Sequence, residues 1–452
     1  MPFSPRAVDV PSLPAPEEAP VVPAALHAAR ADRAYAAAGV DWLVVYGDLE
    51  HFANMAYLSG HDPRFEEALL LLGRGGRRVL VHGNEGGDHA TLAALPGLER
   101  VLAQSFSLPG MDRSVAPRLT DALRAAGLRP GDRVGLVGWK PYAPEESEEG
   151  ETIFAAPHAV VAALRRIVGA EGLVDRTGVL MDPATGLRAV NEIEQIEAFE
   201  WAANRASRAV RAIVSGVRPG MRESEAMAAM AYHGEPLTCR VMFSASRGPI
   251  VGLKSPSSKR IAPGEGATTA VAYRGGLTAR AGMIVESDPD FVERIAAPYY
   301  EALALWCASV RIGEPGRLMH ARIAAALAPA GLASAFTPGH LGGHDEWLHS
   351  VSGAASAIGY RSGALIQCDI IPTPMPEGVA CNCEDPFVLL DAADGAALAA
   401  AKPALMQRLA ARRRFLEETI GLTMAEGLYP LVDWALCYPP GWLKPERIMV
   451  RT

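Results

Sequence analysis

The string TPGHLGGHDEW places His340, His344, Asp345, Glu346 and Trp347 in one short stretch, and it is the densest group of reactive side chains in the chain. Near neutral pH an imidazole can take a proton, give one or bind a metal, and a neighbouring carboxylate can fix its tautomer. The glycines beside the histidines let the backbone approach another element closely. On these residues alone, His340 reads either as a site residue or as a histidine satisfied in a turn or core. Two acids further along shift the balance. Asp369 lies inside the apolar run LIQCDII, where an unpaired carboxylate would cost about 3 kcal/mol or more. Glu384 follows in the return segment, after the turn-forming PTPMPEG. Two carboxylates on one sheet face near a histidine make a metal cup or a general acid/base set; the alternative is a sheet edge with solvated acids.

These residues must be positioned by strands. From Ser362 onward, strand alternation sends Leu365, Gln367 and Asp369 one way and Ile366, Cys368 and Ile370 the other, while Asn382 and Glu384 share a face. An antiparallel pair would then bring Asp369 to Glu384. Upstream, Ile193, Ile196, Phe199, Ala203, Ala206, Val210 and Ile213 recur at three and four, the signature of one buried helix face. Gly216 and Pro219 end that helix. Further helices are expected from Glu223, over Phe291 to Val310, and over Lys402 to Gly421. The opening of the chain reads as α/β, with a helix over Pro23 to Ala38 and strands at Asp41 to Tyr46, Arg77 to Val81 and Val134 to Val137. Asn54 to Leu72 reads as loop and strand, and Gly138 to Ile153 as an acidic, solvated excursion. The Pro-rich first 25 residues read as an extended arm, either disordered or draped over a neighbour.

A length of 452 residues predicts two or three domains, and 49% apolar residues predict a globular chain. The formal charge of -8 and the lack of a basic stripe argue against nucleic acid as a partner. No apolar stretch approaches the roughly 20 residues of a membrane span. The N-terminus lacks a basic end followed by an apolar block, so a soluble, cytoplasmic protein is expected. Six cysteines are too few for a disulfide scaffold, and Cys381 and Cys383 lack the second pair of a structural zinc site.

Several segments together resemble the creatinase, aminopeptidase P and methionine aminopeptidase family, whose fold is called pita-bread. NMAYLSGHDPRFEEALLLL is similar to a segment of that family's first domain, and NEIEQIEAFEWAANRASRAVRAIVSGVRPGMRESE to the helix pair opening its second. PGHLGGHDEW, QCDIIPTPM and NCEDPFVL resemble three later metal-ligand segments. The resemblance implies an α/β N-terminal domain over residues 1–185 and an α+β pita-bread domain over 186–452. Metal-dependent members hold two ions with two aspartates, one histidine and two further acids. The histidine falls on His340 and the acids on Asp369 and Glu384. The aspartates should lie between Pro263 and Ile284, where there are none; their nearest matches are Ala270 and Ala281, to within one position.

A two-ion site needs bridging carboxylates, so no cofactor is the first expectation. The alternative is a single Fe, Mn or Zn ion on His340, Asp369 and Glu384. Creatinase works without metal, but its substrate-gripping Tyr and Glu match Leu277 and Ala281 here, and its upstream histidine has no counterpart. Basic residues (Arg240, Lys254, Lys259, Arg274 and Arg280) stand near instead. Of these, Lys254 and Arg280 are candidates to bind an anionic small-molecule substrate. Asp345 and Trp347 are further substrate-binding candidates. Ser257 with Lys259 has the wrong spacing for an activated nucleophile. Arg64, beside Phe65, either reaches across a homodimer to the substrate or pairs with Glu66 or Glu67.

The expected activity is hydrolysis of a C–N bond in a small amide, amidine or dipeptide-like molecule. His340 would move the proton, Asp369 and Glu384 would orient it and the water, and His344 or Arg280 would stabilise the oxyanion. The alternatives are an Xaa-Pro aminopeptidase or dipeptidase with a reduced metal site, a lyase acting on a small carboxylate, and a non-catalytic binding protein.

Overall fold

The runs WLVVYG and ALLLLG are apolar almost throughout, as suits strands covered on both faces. They form Trp42–Gly47 and Ala68–Gly73, both fully buried, at the centre of a six-stranded sheet. The computed structural model describes residues 2–14, 16–148 and 152–452, and the contacts divide into two units. One is Val22–Ala189; the other joins the segment ending at Val21 to Val190–Thr452.

In the first unit the strand order is Leu98–Leu102, Arg77–His82, Ala68–Gly73, Trp42–Gly47, Val134–Val137, Leu173–Asp175. Trp42–Gly47 runs antiparallel to Ala68–Gly73 and parallel to Val134–Val137. Helices Leu119–Ala126 and His158–Val168 bring Leu123, Leu164 and Ile167 against Val44, Tyr46, Leu69 and Leu71. Part of the expected loop after Phe52 is instead the buried helix Ala53–Ser59. A seven-residue helix buried on every side has no amphipathic period to betray it. Within the acidic excursion, residues 149–151 lie outside the described residues.

The second unit is built on an antiparallel sheet ordered His340–Leu341, Ala364–Cys368, Asn382–Leu389, Gly276–Met283, Gly266–Tyr273, Met242–Ser246. Helix Ile193–Gly216 packs on the hairpin of Gly266–Tyr273 and Gly276–Met283 through the face read from its period. The hairpin needs Gly275, whose φ is +121° and whose missing Cβ would come 2.6 Å from the Phe199 backbone. Helix Ala297–Ser309 buries Tyr299, Tyr300, Leu303 and Trp306.

The N-terminal arm is extended as expected, but it belongs with the second unit rather than with residues 22–185. Phe3–Ala7 pairs with Arg447–Arg451. Leu13 N donates to Asp433 at 3.1 Å, and Arg208 and Trp201 donate to the carbonyls of Leu13 and Pro16. Prolines leave a segment with few donors of its own, and side chains of the second unit satisfy its carbonyls. Among the described residues no helix is long and apolar enough to cross a membrane.

Candidate active site

His340 opens its strand opposite Gln367. Gly339, at φ +96°, allows this approach: a Cβ there would lie 2.6 Å from the Gln367 carbonyl and 3.0 Å from the Trp306 indole nitrogen. Trp306 fixes the same turn by donating to Pro338 O at 2.9 Å. The next ladder pairs Cys368 with Asp385, so one step further Asp369 and Glu384 come together where the strands part. Tyr299 holds that return strand, accepting from Cys383 N at 2.8 Å and donating to Asn382 Oδ1 at 3.2 Å.

Asp369, Asn382 and Glu384, together with Glu346 and Trp347, line a cavity of about 370 Å³. His340 does not line it. The ring is fully buried, stacked on Trp347 with centroids 3.9 Å apart. Its Nδ1 lies 3.1 Å from Leu341 O, and its Nε2 lies 3.2 Å from Glu346 Oε1 and 3.8 Å from Glu384 Oε1. Gln367 Nε2 donates to Glu384 Oε1 at 3.2 Å and to Leu277 O at 2.9 Å. The group is thus two layers deep, with carboxylates facing the cavity and an imidazole and an amide behind them.

The charges in this group are interdependent. Burial pushes the Asp369 carboxyl up to about 7, with Glu346 adding and His340 opposing. Burial likewise raises Glu384, reinforced by Asp369 and Glu346. Burial disfavours a charged His340, but the carboxylates of Glu346, Glu384 and Asp369 outweigh it and hold the imidazole well above its usual range. Among the described residues, Gln367 Oε1 and Asp369 Oδ1 are buried without a hydrogen-bond partner, while His340 Nε2 has only its ion-pair contacts with Glu346 and Glu384. Two orphaned polar atoms in one place each carry a desolvation cost, which a bound group would relieve.

The residues present fit one metal ion. His340, Glu346 and Glu384 offer ligand atoms that all lie within 4.8 Å of one another, so Glu346 takes the place expected for Asp369. They do not fit two ions. The strands GATTAVAY and GLTARAGM carry no carboxylate, and the position directly across from Glu384 is Ala279, not Ala281. Ala279 in turn faces Ala270.

Several other expectations are corrected. Arg280 faces the opposite side of the sheet from Glu384, since it pairs with Cys383 and strand neighbours alternate. Fully buried there, it donates to Asp385 at 2.8 Å and to the carbonyls of Trp434 and Cys437, with its guanidinium 4.5 Å from the Trp434 ring centre. Lys254 is paired with buried Glu223 at 3.5 Å. Lys259 pairs with Glu265, and Ser257 is bonded to Glu223. No Lys or Arg is among the residues lining the cavity, which removes the basis for an anionic ligand. His344 lies edge-on to Phe199 at 5.2 Å, and neither it nor Asp345 lines the cavity. In the first unit, Arg64 pairs with Asp62 at 3.5 Å, while Glu66 accepts from the backbone of Glu85 and Gly86.

Sequence reasoning passed over Glu346 and Gln367 as site residues. Gln367 shared its strand face with Asp369 and was legible from alternation. Glu346 was not, because an irregular turn gives no parity by which to choose between adjacent acids. The cysteines are buried apart from half-buried Cys239, and burial pushes the Cys381 and Cys239 thiols up to about 12.

No protein-family model matches the chain, and no curated protein matches it. Solved structures do. The prolidase from Pyrococcus horikoshii OT3 matches with a TM-score of 0.62 at 16% identity, over 80% of this chain and 95% of that one. The Xaa-Pro dipeptidase from Bacillus anthracis gives 0.59 at 17% identity, over 82% and 96%. The X-Pro aminopeptidase from Thermotoga maritima MSB8 gives 0.62 at 15%, over 80% and 95%. The chain therefore has the fold expected from its motifs, an α/β domain followed by a pita-bread domain.

Proposed function

We propose that this protein hydrolyses a C–N bond in a small amide, amidine or dipeptide-like molecule. The observation that carries this reading is the pair of buried carboxylates, Asp369 and Glu384, lining one cavity with His340 packed behind Glu384. Amide hydrolysis needs a base to take a proton from water and an acid to protonate the leaving nitrogen. Two carboxylates at one cavity wall can divide those tasks, as two environments hold two acids in different protonation states. His340, out of reach of the cavity, serves by holding charge against Glu346 and Glu384, and Gln367 keeps Glu384 in place. His340 is thus a positioning residue here.

A single divalent ion held by His340, Glu346 and Glu384 would polarise the scissile carbonyl and lower the pKa of a water molecule. The substrate would still be bound by the remaining wall of the cavity, and Asp369 would remain available to the leaving nitrogen.

A narrower reading, an Xaa-Pro dipeptidase or aminopeptidase with a reduced metal site, is favoured by the fold shared with proteins bearing those names. The test is to incubate the protein, with and without added Mn²⁺, with Xaa-Pro dipeptides, other dipeptides, simple amides and cyclic amidines, and to follow products by mass spectrometry. Cleavage by wild type and its loss in Glu384→Gln would support a C–N hydrolase. Turnover restricted to Xaa-Pro dipeptides would select the narrower reading. Intact substrates throughout would refute both.

A further inference from the structure

Beside its acids, the cavity has a wall that a site for small ions would not need. Leu277 and Ala279 on one strand, Ala270 on the next, and Met242 and Cys239 beyond them pack into a single apolar cluster. Each of these lines the same cavity as Asp369 and Glu384. Because Ala279 has Glu384 on one side and Ala270 on the other, the boundary between acid and hydrocarbon runs between adjacent strands. A hydrated ion gains nothing from such a wall, whereas an alkyl group removed from water gains about 25 cal/mol per Å².

The polar side is short of positive charge. Three carboxyl groups line the cavity with no Lys or Arg among its lining residues; His340 faces Glu346 and Glu384 at 3.2 and 3.8 Å, which leaves Asp369, among the described residues, as the acid with no basic side chain in hydrogen-bond reach. Asp369 lies outside the His340, Glu346, Glu384 donor set. It is 4% exposed, and its Oδ1 lacks a hydrogen-bond partner among the described residues. At the same cavity Phe336 is an exposed aromatic ring, and Trp347 is partly exposed with one face stacked on His340; the free face of such a ring attracts cations. The volume of about 370 Å³ lies at the small end of the ligand-pocket range of roughly 300–1,000 Å³.

We infer that the cavity takes a small organic cation, an ammonium or amidinium group joined to a compact apolar body, with the head at Asp369 and the body against Ala270, Leu277, Ala279 and Met242. This rests on the reading of the cavity as the substrate site and adds the class of substrate.

Isothermal titration calorimetry on the full-length protein tests it with four probes: cyclohexylamine, methylamine, cyclohexanol and cyclohexanecarboxylate. Cyclohexylammonium should bind roughly tenfold or more tightly than methylammonium, which lacks the body, and than cyclohexanol, which lacks the charge. The carboxylate should not bind. Ala279→Asp, which puts a charge into the wall, should abolish the preference for cyclohexyl over methyl. If that variant does not melt cooperatively, Ala270→Ser should narrow the same preference. Equal binding of the two amines, or tighter binding of the carboxylate, would overturn the inference. Calorimetry reads binding alone. The predicted ranking without hydrolysis of any amide would defeat the hydrolase reading and leave this inference standing; hydrolysis without the ranking would do the reverse.

Discussion

Glu384 and Asp369 are the side chains on which the proposed chemistry depends, and both can be neutralised without changing shape. Glu384→Gln and Asp369→Asn should each lower turnover by about 10²-fold or more, the usual scale for a lost acid or base. Asp369→Asn should not lower the melting temperature, because it replaces an unpartnered buried acid by a neutral amide, whereas Glu384→Gln takes a carboxylate from buried His340 and should lower it. Steady-state kinetics beside a thermal melt would separate these effects. Arg280 should behave in the opposite way. Removing it leaves Asp385 buried without its cation, so Arg280→Met should cost about 3–5 kcal/mol in urea unfolding, with only part of that recovered in Arg280→Met/Asp385→Leu, because Leu436 N and the Thr278 hydroxyl then lose their acceptor. Sequence placed His340, Asp369 and Glu384 in one group because strand parity and an apolar setting marked them. It misjudged Arg280 and Lys254 because a basic residue near a cleft in sequence says nothing of its partner. Asp385 and Glu223, which claim those two cations, are single acids on other elements.

At the scale of elements, two buried acids act as ties between segments. Glu223 accepts from Ala245 N on the Met242–Ser246 strand and from Ser257 N and Oγ on the following loop. Burial alone would raise its pKa, but the bonds from Ser257 and Ala245 and the charge of Lys254 outweigh it and hold it below the usual value. A depressed folded-state pKa gives stability that is present above the unfolded pKa and lost as pH falls through the folded one. Glu223→Gln should therefore be less stable than wild type at pH 7, with the gap closing below about pH 4; melts across that range would show it. Asp433 ties down the N-terminal arm through Leu13 and also holds Arg412 at 2.8 Å. Deleting residues 2–14 should raise hydrogen exchange in Arg447–Arg451, the strand that pairs with Phe3–Ala7, and leave the Trp42–Gly47 sheet protected. The long helix from Ile193 and the apolar strands were readable from period and composition. The helix Ala53–Ser59 and the resting place of the arm were not, since both are decided by tertiary partners rather than local pattern.

For the whole molecule, the sequence motifs were enough for the two-domain pita-bread fold, although identity to the three structures named above is only 15–17%. A fold survives such divergence while its chemistry can change, because the sheet needs only strands of the right period. Here the hairpin that the resemblance expects to carry two aspartates offers Thr268, Ala270, Leu277 and Ala279 to the cavity instead. The proposed site is an acidic cavity with donors for one metal ion beside an apolar wall. The direct test is the number of metal ions per chain, counted by elemental mass spectrometry after equilibration with Mn²⁺ or Zn²⁺ and removal of excess. About one equivalent is expected, set by a single histidine-and-two-carboxylate donor group, and it should be lost in His340→Ala. Two equivalents, or none, would contradict the one-ion site.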